Sequence, residues 1–312
     1  MAELEPLDAT FFAFRKRDRR FVLTLASGAY LGLALLLGAV YLAATWGAWG
    51  AIFTWYVDML RAAASGGEPS MPPMGPLLAL APWMLLVAVA GYVLFAAYEA
   101  ACLRWLLRGE SGGGVFGLNL GADTWRVFAC YWVWVGLFTG FVALVAGFYL
   151  GLRALAEIAG PLRIVLMLVA ALAPLGLLAL VIFAAVRLAP GAAMSVARGR
   201  FAFFSAWHAT RGRFWALLGG FFILIVGYVV IASIISQVFQ IPVRGELAPI
   251  MASILADGDA DAALASLREA FMTPMFFALG AAYLAAAMIL ASVFRVALFG
   301  INARAVLTAA SP

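Results

Sequence analysis

The sequence predicts an all-α fold, a polytopic membrane helix bundle with six transmembrane helices. Three observations predict it. Apolar residues make up 66% of the chain and charged residues 11%, whereas a soluble domain is about half apolar and a quarter charged. Mean hydropathy is +1.06, so there is too little polar surface to cover a water-facing body. The apolar residues also fall into six continuous runs, roughly 21–45, 76–101, 127–151, 163–186, 214–240 and 272–294. Each is long enough for the about 20 residues that cross a bilayer. Lipid offers no partner to a backbone N–H or C=O, so such runs must be helices. Barrel strands would be about 10 residues long and alternate in polarity.

The elements follow in order. The first run is preceded by "RKRDRR", Arg15 to Arg20. It exceeds the 7–15 apolar residues of a signal-peptide core, so it reads as a retained span. "AIFTWYVDMLRAAA" (51–64) reads as a segment lying on the outer face of the membrane. "GGEPSMPPMGP" (66–76) is a turn-rich connector into the second run. That run carries Glu99 near its end, followed by Arg104 and Arg108. The third run is led in by "LGADTWRVFACYW" (120–132) and holds Gly136, Gly140, Gly147 and Gly151. Small residues four apart let helices approach closely, as a seam inside the monomer, the expected use, or at a dimer interface, the alternative. The fourth run ends at Arg187. "FSAWHATRGRFW" (204–215) then contains the sole histidine, His208. As a helix it would place Ser205, His208 and Gly212 on one face and Phe203, Trp207 and Phe214 toward the other, an interfacial arrangement. After the fifth run, "DGDAD" (257–261) resembles the start of a calcium loop. An EF-hand needs Gly and Glu where Ala262 and Arg268 stand. The stretch therefore reads as an acidic turn before a helix "AALASLREAF" (262–271). The sixth run leads into Arg295 and Arg304.

Basic residues set the orientation. Fifteen lie in the two tails and in the segments joining spans 2–3 and 4–5. Five (Arg61, Arg153, Arg163, Arg244 and Arg268) lie in the opposite loops. The positive-inside rule then places both termini in the cytoplasm. The net charge of +5 is this asymmetry and not a nucleic-acid signal. Cys102 and Cys130, near the cytoplasmic side, are expected to be free thiols.

The chain also repeats a pattern. The lead-ins at 8–21, 120–132 and 204–215 each bring small and aromatic residues, then an arginine (Arg20, Arg126, Arg213), then an apolar span. The departures at 96–108, 182–198 and 291–304 carry Arg104, Arg187 and Arg295. This predicts one integral membrane domain over 1–312, built from three tandem units of an elbow and two spans, roughly 8–109, 115–198 and 199–307.

The lead-ins "LGADTWRVF" and "FSAWHATRGRFW", with the six spans, resemble a poorly characterised bacterial membrane family. That family is related to the membrane domain attached to some glycerophosphodiester phosphodiesterases. In those enzymes a separate barrel domain with metal-binding carboxylates and histidines performs catalysis, and no segment here matches it. The resemblance implies a fold and a location, a bacterial inner membrane, rather than phosphodiester hydrolysis.

The chemistry-bearing residues are few. An ionisable group within a span, such as Glu99, is a functional candidate by default, its plain alternative being an interfacial residue paired with an arginine. Arg104, Arg187 and Arg295 read either as topology signals or as a ring of guanidinium groups for lipid phosphates or a partner's acidic groups. Arg126 and Arg213 stand at equivalent lead-in positions. His208 reads as structural, because the other elbows lack a histidine; a proton shuttle is the alternative. The sequence shows no phosphate-binding loop, zinc-ligand spacing, cofactor motif or nucleophile elbow. The expected function is therefore that of a non-catalytic envelope protein, an accessory subunit or lipid-organising factor. Its partners would be membrane lipids with anionic head groups or another membrane protein. A transporter or channel for a lipid-like or small amphipathic substrate is the alternative. A lipid head-group enzyme using Glu99 or His208 is a third reading.

Overall fold

A computed structural model describes residues 5–15, 21–64, 67–68, 71–158, 160–257, 269 and 273–310. Its helices are α1 (Pro6–Arg15), α2 (Val22–Ala64), α3 (Met74–Arg108), α4 (Ala122–Ile158), α5 (Arg163–Leu188), α6 (Gly191–Ala197), α7 (Ala206–Ala209), α8 (Phe214–Asp257) and α9 (Pro274–Ala310). Single 3-10 turns at Gly160–Leu162 and Phe203–Ser205 precede α5 and α7. The described residues include no β-strand. Six stretches are long and apolar enough to cross a membrane, and each of the six runs seen in the sequence falls on one of them. The fold is an all-α, multi-pass membrane bundle.

Three local expectations are corrected. Residues 51–64 do not form a separate surface helix, because α2 continues through them for 43 residues. At about 1.5 Å per residue that is roughly 65 Å, twice the hydrocarbon thickness. Likewise α8 runs 44 residues, to Asp257. Once a helix is nucleated, each further residue adds a hydrogen bond at little cost, so it continues past the end of its apolar pattern. The lead-in 204–215 is not one amphipathic helix. It is a 3-10 turn, the four-residue α7 and a bend at Gly212, whose φ is +76°. Phe203 is fully buried while Trp207 and His208 are exposed. Among the described residues the glycines of α4 form no internal seam: Gly136, Gly140, Gly147 and Gly151 are exposed, and a Cβ added at any of them meets nothing within 4 Å. In the acidic stretch 257–261, only Asp257 lies within the described residues, as do the connector at 67–68 and 71–76 and, from the expected helix 262–271, Glu269.

The chain divides into two compact units. One comprises Met1–Ala26, Phe95–Ile223 and Val296–Pro312. The other comprises Ser27–Leu94 and Leu224–Arg295. The first unit holds the largest fully buried side chains, among them Tyr98, Phe203, Phe299, Leu103, Leu217 and Ile301. Tyr98 and Phe299 meet edge to face at 5.5 Å. In the second unit most large apolar residues are exposed, and the buried polar residues Thr45 and Ser292 bond back to carbonyls in their own helices. Apolar exposure of that kind suits helices whose solvent is lipid.

Close packing in the first unit depends on isolated glycines. Helix α1 lies where Gly300 of α9 leaves room: a Cβ there would sit 2.8 Å from the Cβ of Ala13. On α8, a Cβ at Gly219 would come within 3.3 Å of Pro6, and the Thr10 hydroxyl donates to the Gly220 carbonyl at 3.2 Å. On α6, a side chain at Gly191 would run into the Phe203 ring. Gly300→Val should therefore cost about 1–3 kcal/mol through overpacking, read as a lower melting temperature of the purified protein in detergent. Gly136→Ala should match the wild type or slightly exceed it. Equal loss in both variants would contradict this packing.

Candidate functional site

The candidate site grows out of the glycine-rich segment between α3 and α4. Gly109, Gly112, Gly114 and Gly117 all have positive φ, between 70° and 89°, a conformation only glycine adopts without strain. They fold the segment back on the end of α3, where the Arg104 guanidinium donates to the Gly117 carbonyl at 2.8 Å. A Cβ at Gly112 would approach Arg104 Nη2 to 3.3 Å. The Asn119 side chain accepts from the Gly121 N–H, and Thr124 donates to the Asn119 carbonyl at 2.6 Å. These bonds fix the start of α4 and place Asp123 in its first turn, where the helix dipole favours a negative charge.

Asp123 gathers three arginines. Arg126 donates to it at 2.6 Å, Arg108 bonds the other carboxylate oxygen, and Arg104 lies 3.9 Å from that oxygen. Asp123 and Arg104 are buried, whereas the Arg108 and Arg126 side chains keep 29% and 27% of their surface exposed. Arg108 also pairs with the exposed Glu110 at 3.3 Å. Three guanidinium groups thus face two carboxylates, and the excess positive charge lies at the open edge. Among the described residues the Nε of Arg104 has no hydrogen-bond partner.

A second ionic pair fastens the N-terminal helix. Asp8 accepts from Arg304 Nε at 3.0 Å, lies 2.9 Å from the Arg304 Nη2, and accepts from Arg15 at 2.8 Å. Arg304 also lies over the Phe12 ring at 5.5 Å.

Glu99 is buried in α3, and its hydrogen-bond partner is the Tyr131 hydroxyl of α4, not an arginine. Phe95 stacks on that ring at 5.7 Å. Beside Tyr131 in sequence, the Cys130 thiol lies 3.5 Å from the Ser195 hydroxyl, which accepts from the Ala202 N–H and donates to the Gly191 carbonyl. Cys102 and Cys130 are both buried and unbridged.

The remaining singled-out residues occupy distinct surroundings. Arg187 is buried, with its guanidinium over Trp207 at 4.6 Å and near Phe183 at 5.8 Å. Its carbonyl accepts from Thr210, which ties α5 to the lead-in of α8. Arg213 donates to the Thr308 carbonyl at 2.9 Å. Arg295 belongs to the other unit and lies over Tyr30 at 5.1 Å. His208 is exposed, and among the described residues no hydrogen bond or ion pair holds its ring.

The structure thus brings Arg104 and Arg126 together on Asp123, and gives Glu99 a phenol instead of a charge. Sequence reading missed Asp123, Arg108 and Tyr131 as site residues. The signal for Asp123 was present: an acid in the first turn of a helix led in by Asn and Gly, with Arg three residues on. No comparable signal marks Tyr131. No family model, curated protein or solved structure matches this chain.

Removing one member of a buried ion pair strands the other charge. Asp123→Asn leaves Arg104 without its carboxylate and should cost about 3 kcal/mol. Arg126→Gln, at the wetter edge, should cost about 1 kcal/mol or less. Thermal unfolding of the purified variants measures both; wild-type stability of Asp123→Asn would contradict the assignment.

Proposed function

We propose that this integral membrane protein organises anionic lipid at the face that carries its termini. In this reading it is a bacterial inner-membrane protein with both termini cytoplasmic, and lipid head groups or a partner's acids dock on its arginine edge. The supporting observation is the cluster around Asp123. Its buried side is neutralised by protein contacts, and its open side presents Arg108 and Arg126 where the end of a span meets the head groups. Juxtamembrane arginines near an anionic leaflet contribute roughly 1 kcal/mol each, and their forked geometry suits phosphate. Arg104 and Arg187 act in this account as buried anchors, with Arg213 fastening α8 to the end of α9. The resemblance to the membrane domain of glycerophosphodiester phosphodiesterases agrees with a lipid-facing role.

One observation favours a second reading, a transporter of a lipid-like substrate: a carboxylic side chain, Glu99, is buried in a span against Tyr131. Proteoliposome flipping of a fluorescent phosphatidylglycerol that is lost in Glu99→Gln would decide for that reading.

The primary test is native mass spectrometry of delipidated full-length protein titrated with phosphatidylglycerol or phosphatidylcholine. The wild type should prefer phosphatidylglycerol. Arg108→Gln with Arg126→Gln should lower that preference about thirtyfold, the scale of two contributions of roughly 1 kcal/mol, and the double lysine variant should fall between. Equal retention in all three would overturn the proposal.

A further inference from the structure

A polar ladder interrupts the far half of α8. Ser236, Gln240 and Arg244 stand four residues apart, so they share one helix face. Gln240 donates to the Ser236 hydroxyl at 2.7 Å and accepts from Arg244 at 2.8 Å. At about 1.5 Å per residue, Ser236 lies roughly 33 Å and Arg244 roughly 45 Å along the helix from Phe214. The apolar run from Phe214 continues to Phe239, longer than the about 30 Å core needs and accommodated by tilt, so the slot lies at the end of the span and Arg244, about one turn further, reaches the head groups. Arg244 is exposed. Of its five N–H groups, the contacts among the described residues use one.

Two rungs of the ladder, Ser236 and Gln240, line a cavity of about 260 Å³ between α8 and α9, within the second unit, and Arg244 reaches its edge through its bond to Gln240. Phe239, Phe276 and Tyr283 give it aromatic walls, and Gly280 leaves one wall without a side chain. Phe239 and Tyr283 hold each other edge to face at 5.5 Å. The volume is below that of pockets for drug-sized ligands and suits part of a single hydrocarbon chain. Aromatic walls beside a polar rung and an exposed cation make an amphipathic template.

We propose that this cavity binds an anionic phospholipid of the leaflet opposite the termini, selected over the zwitterionic bulk lipid by its net negative charge, with an acyl chain between Phe239, Phe276 and Tyr283 and its phosphate on Arg244. Charge complementarity selects the occupant: a phosphate diester matches the guanidinium, and the chain below it fills the aromatic slot. The site shares no residue with the Asp123 cluster, so either proposal can fail alone.

The test uses full-length protein in phosphatidylethanolamine vesicles containing trace phosphatidylglycerol with a photoreactive acyl chain. Cross-links are mapped by mass spectrometry. Labelling should concentrate on 236–243 and 276–283, and excess unlabelled phosphatidylglycerol should compete while inorganic phosphate does not. Arg244→Gln should reduce labelling there about tenfold, the scale of one charge-assisted contact. Gly280→Leu should block the slot, and its added Cβ meets nothing within 4 Å, so the fold is preserved. Labelling no stronger than that of the lipid-facing stretch 164–181, or unchanged in both variants, would overturn the proposal. So would full competition by inorganic phosphate, which would mean a bare anion site, or cross-links to a second copy of the chain.

Discussion

Lipid does not drive helices together by the hydrophobic effect, because its tails are as apolar as a leucine side chain. Each span satisfies its own backbone, and association must come from close packing and polar contacts. In the first unit those contacts are concentrated near the ends of the spans. Tyr98, Leu103 and Leu106 of α3, Val127 of α4, Leu217 of α8 and Phe299 and Ile301 of α9 are all fully buried, and Asp123 holds the arginines that adjoin them. The middle of α5, by contrast, is lined with exposed leucines and valines.

This concentration shapes the chemistry. A buried carboxylate among arginines is costly unless every charge is matched and bonded. Asp123 lies 3.9 Å from Arg104 on its inner side, where Arg104 is bonded to the Gly117 carbonyl, and leaves positive charge on its outer side. The glycine turns at 112 and 117 permit it, since a side chain at either would crowd Arg104 or the returning loop. Structure and surface charge thus follow from one arrangement. Glu99 is built differently, with a phenol as its partner and an aromatic ring stacked on that phenol.

The spans were legible in the sequence because lipid imposes one solution on any long apolar run. Their ends were not, because a helix continues for as long as its backbone bonds are met, and α2 and α8 outrun their apolar patterns. The glycines show the limit most clearly. The regular spacing of Gly136, Gly140, Gly147 and Gly151 suggested a seam, yet these residues face open space. Isolated helix glycines such as Gly191, Gly219 and Gly300 are instead closely approached by a neighbour. Spacing reports which residues share a face, but what covers that face is decided by contacts far away in sequence. The departure arginines teach the same lesson. Arg104, Arg187 and Arg295 stand at matching places in the pattern, yet one bonds a carbonyl near a carboxylate, one lies against Trp207 and Phe183, and one lies over Tyr30.

The central claim is that stability resides in the buried layer at the helix ends and not along the spans. A truncation series measures it directly by thermal unfolding in one detergent. Tyr98→Ala, Leu217→Ala and Phe299→Ala should each cost about 2–5 kcal/mol, while Leu144→Ala, Leu168→Ala and Ile289→Ala, whose side chains are exposed, should stay within about 0.5 kcal/mol of wild type. Comparable losses in the two sets, or larger losses in the second, would contradict the account.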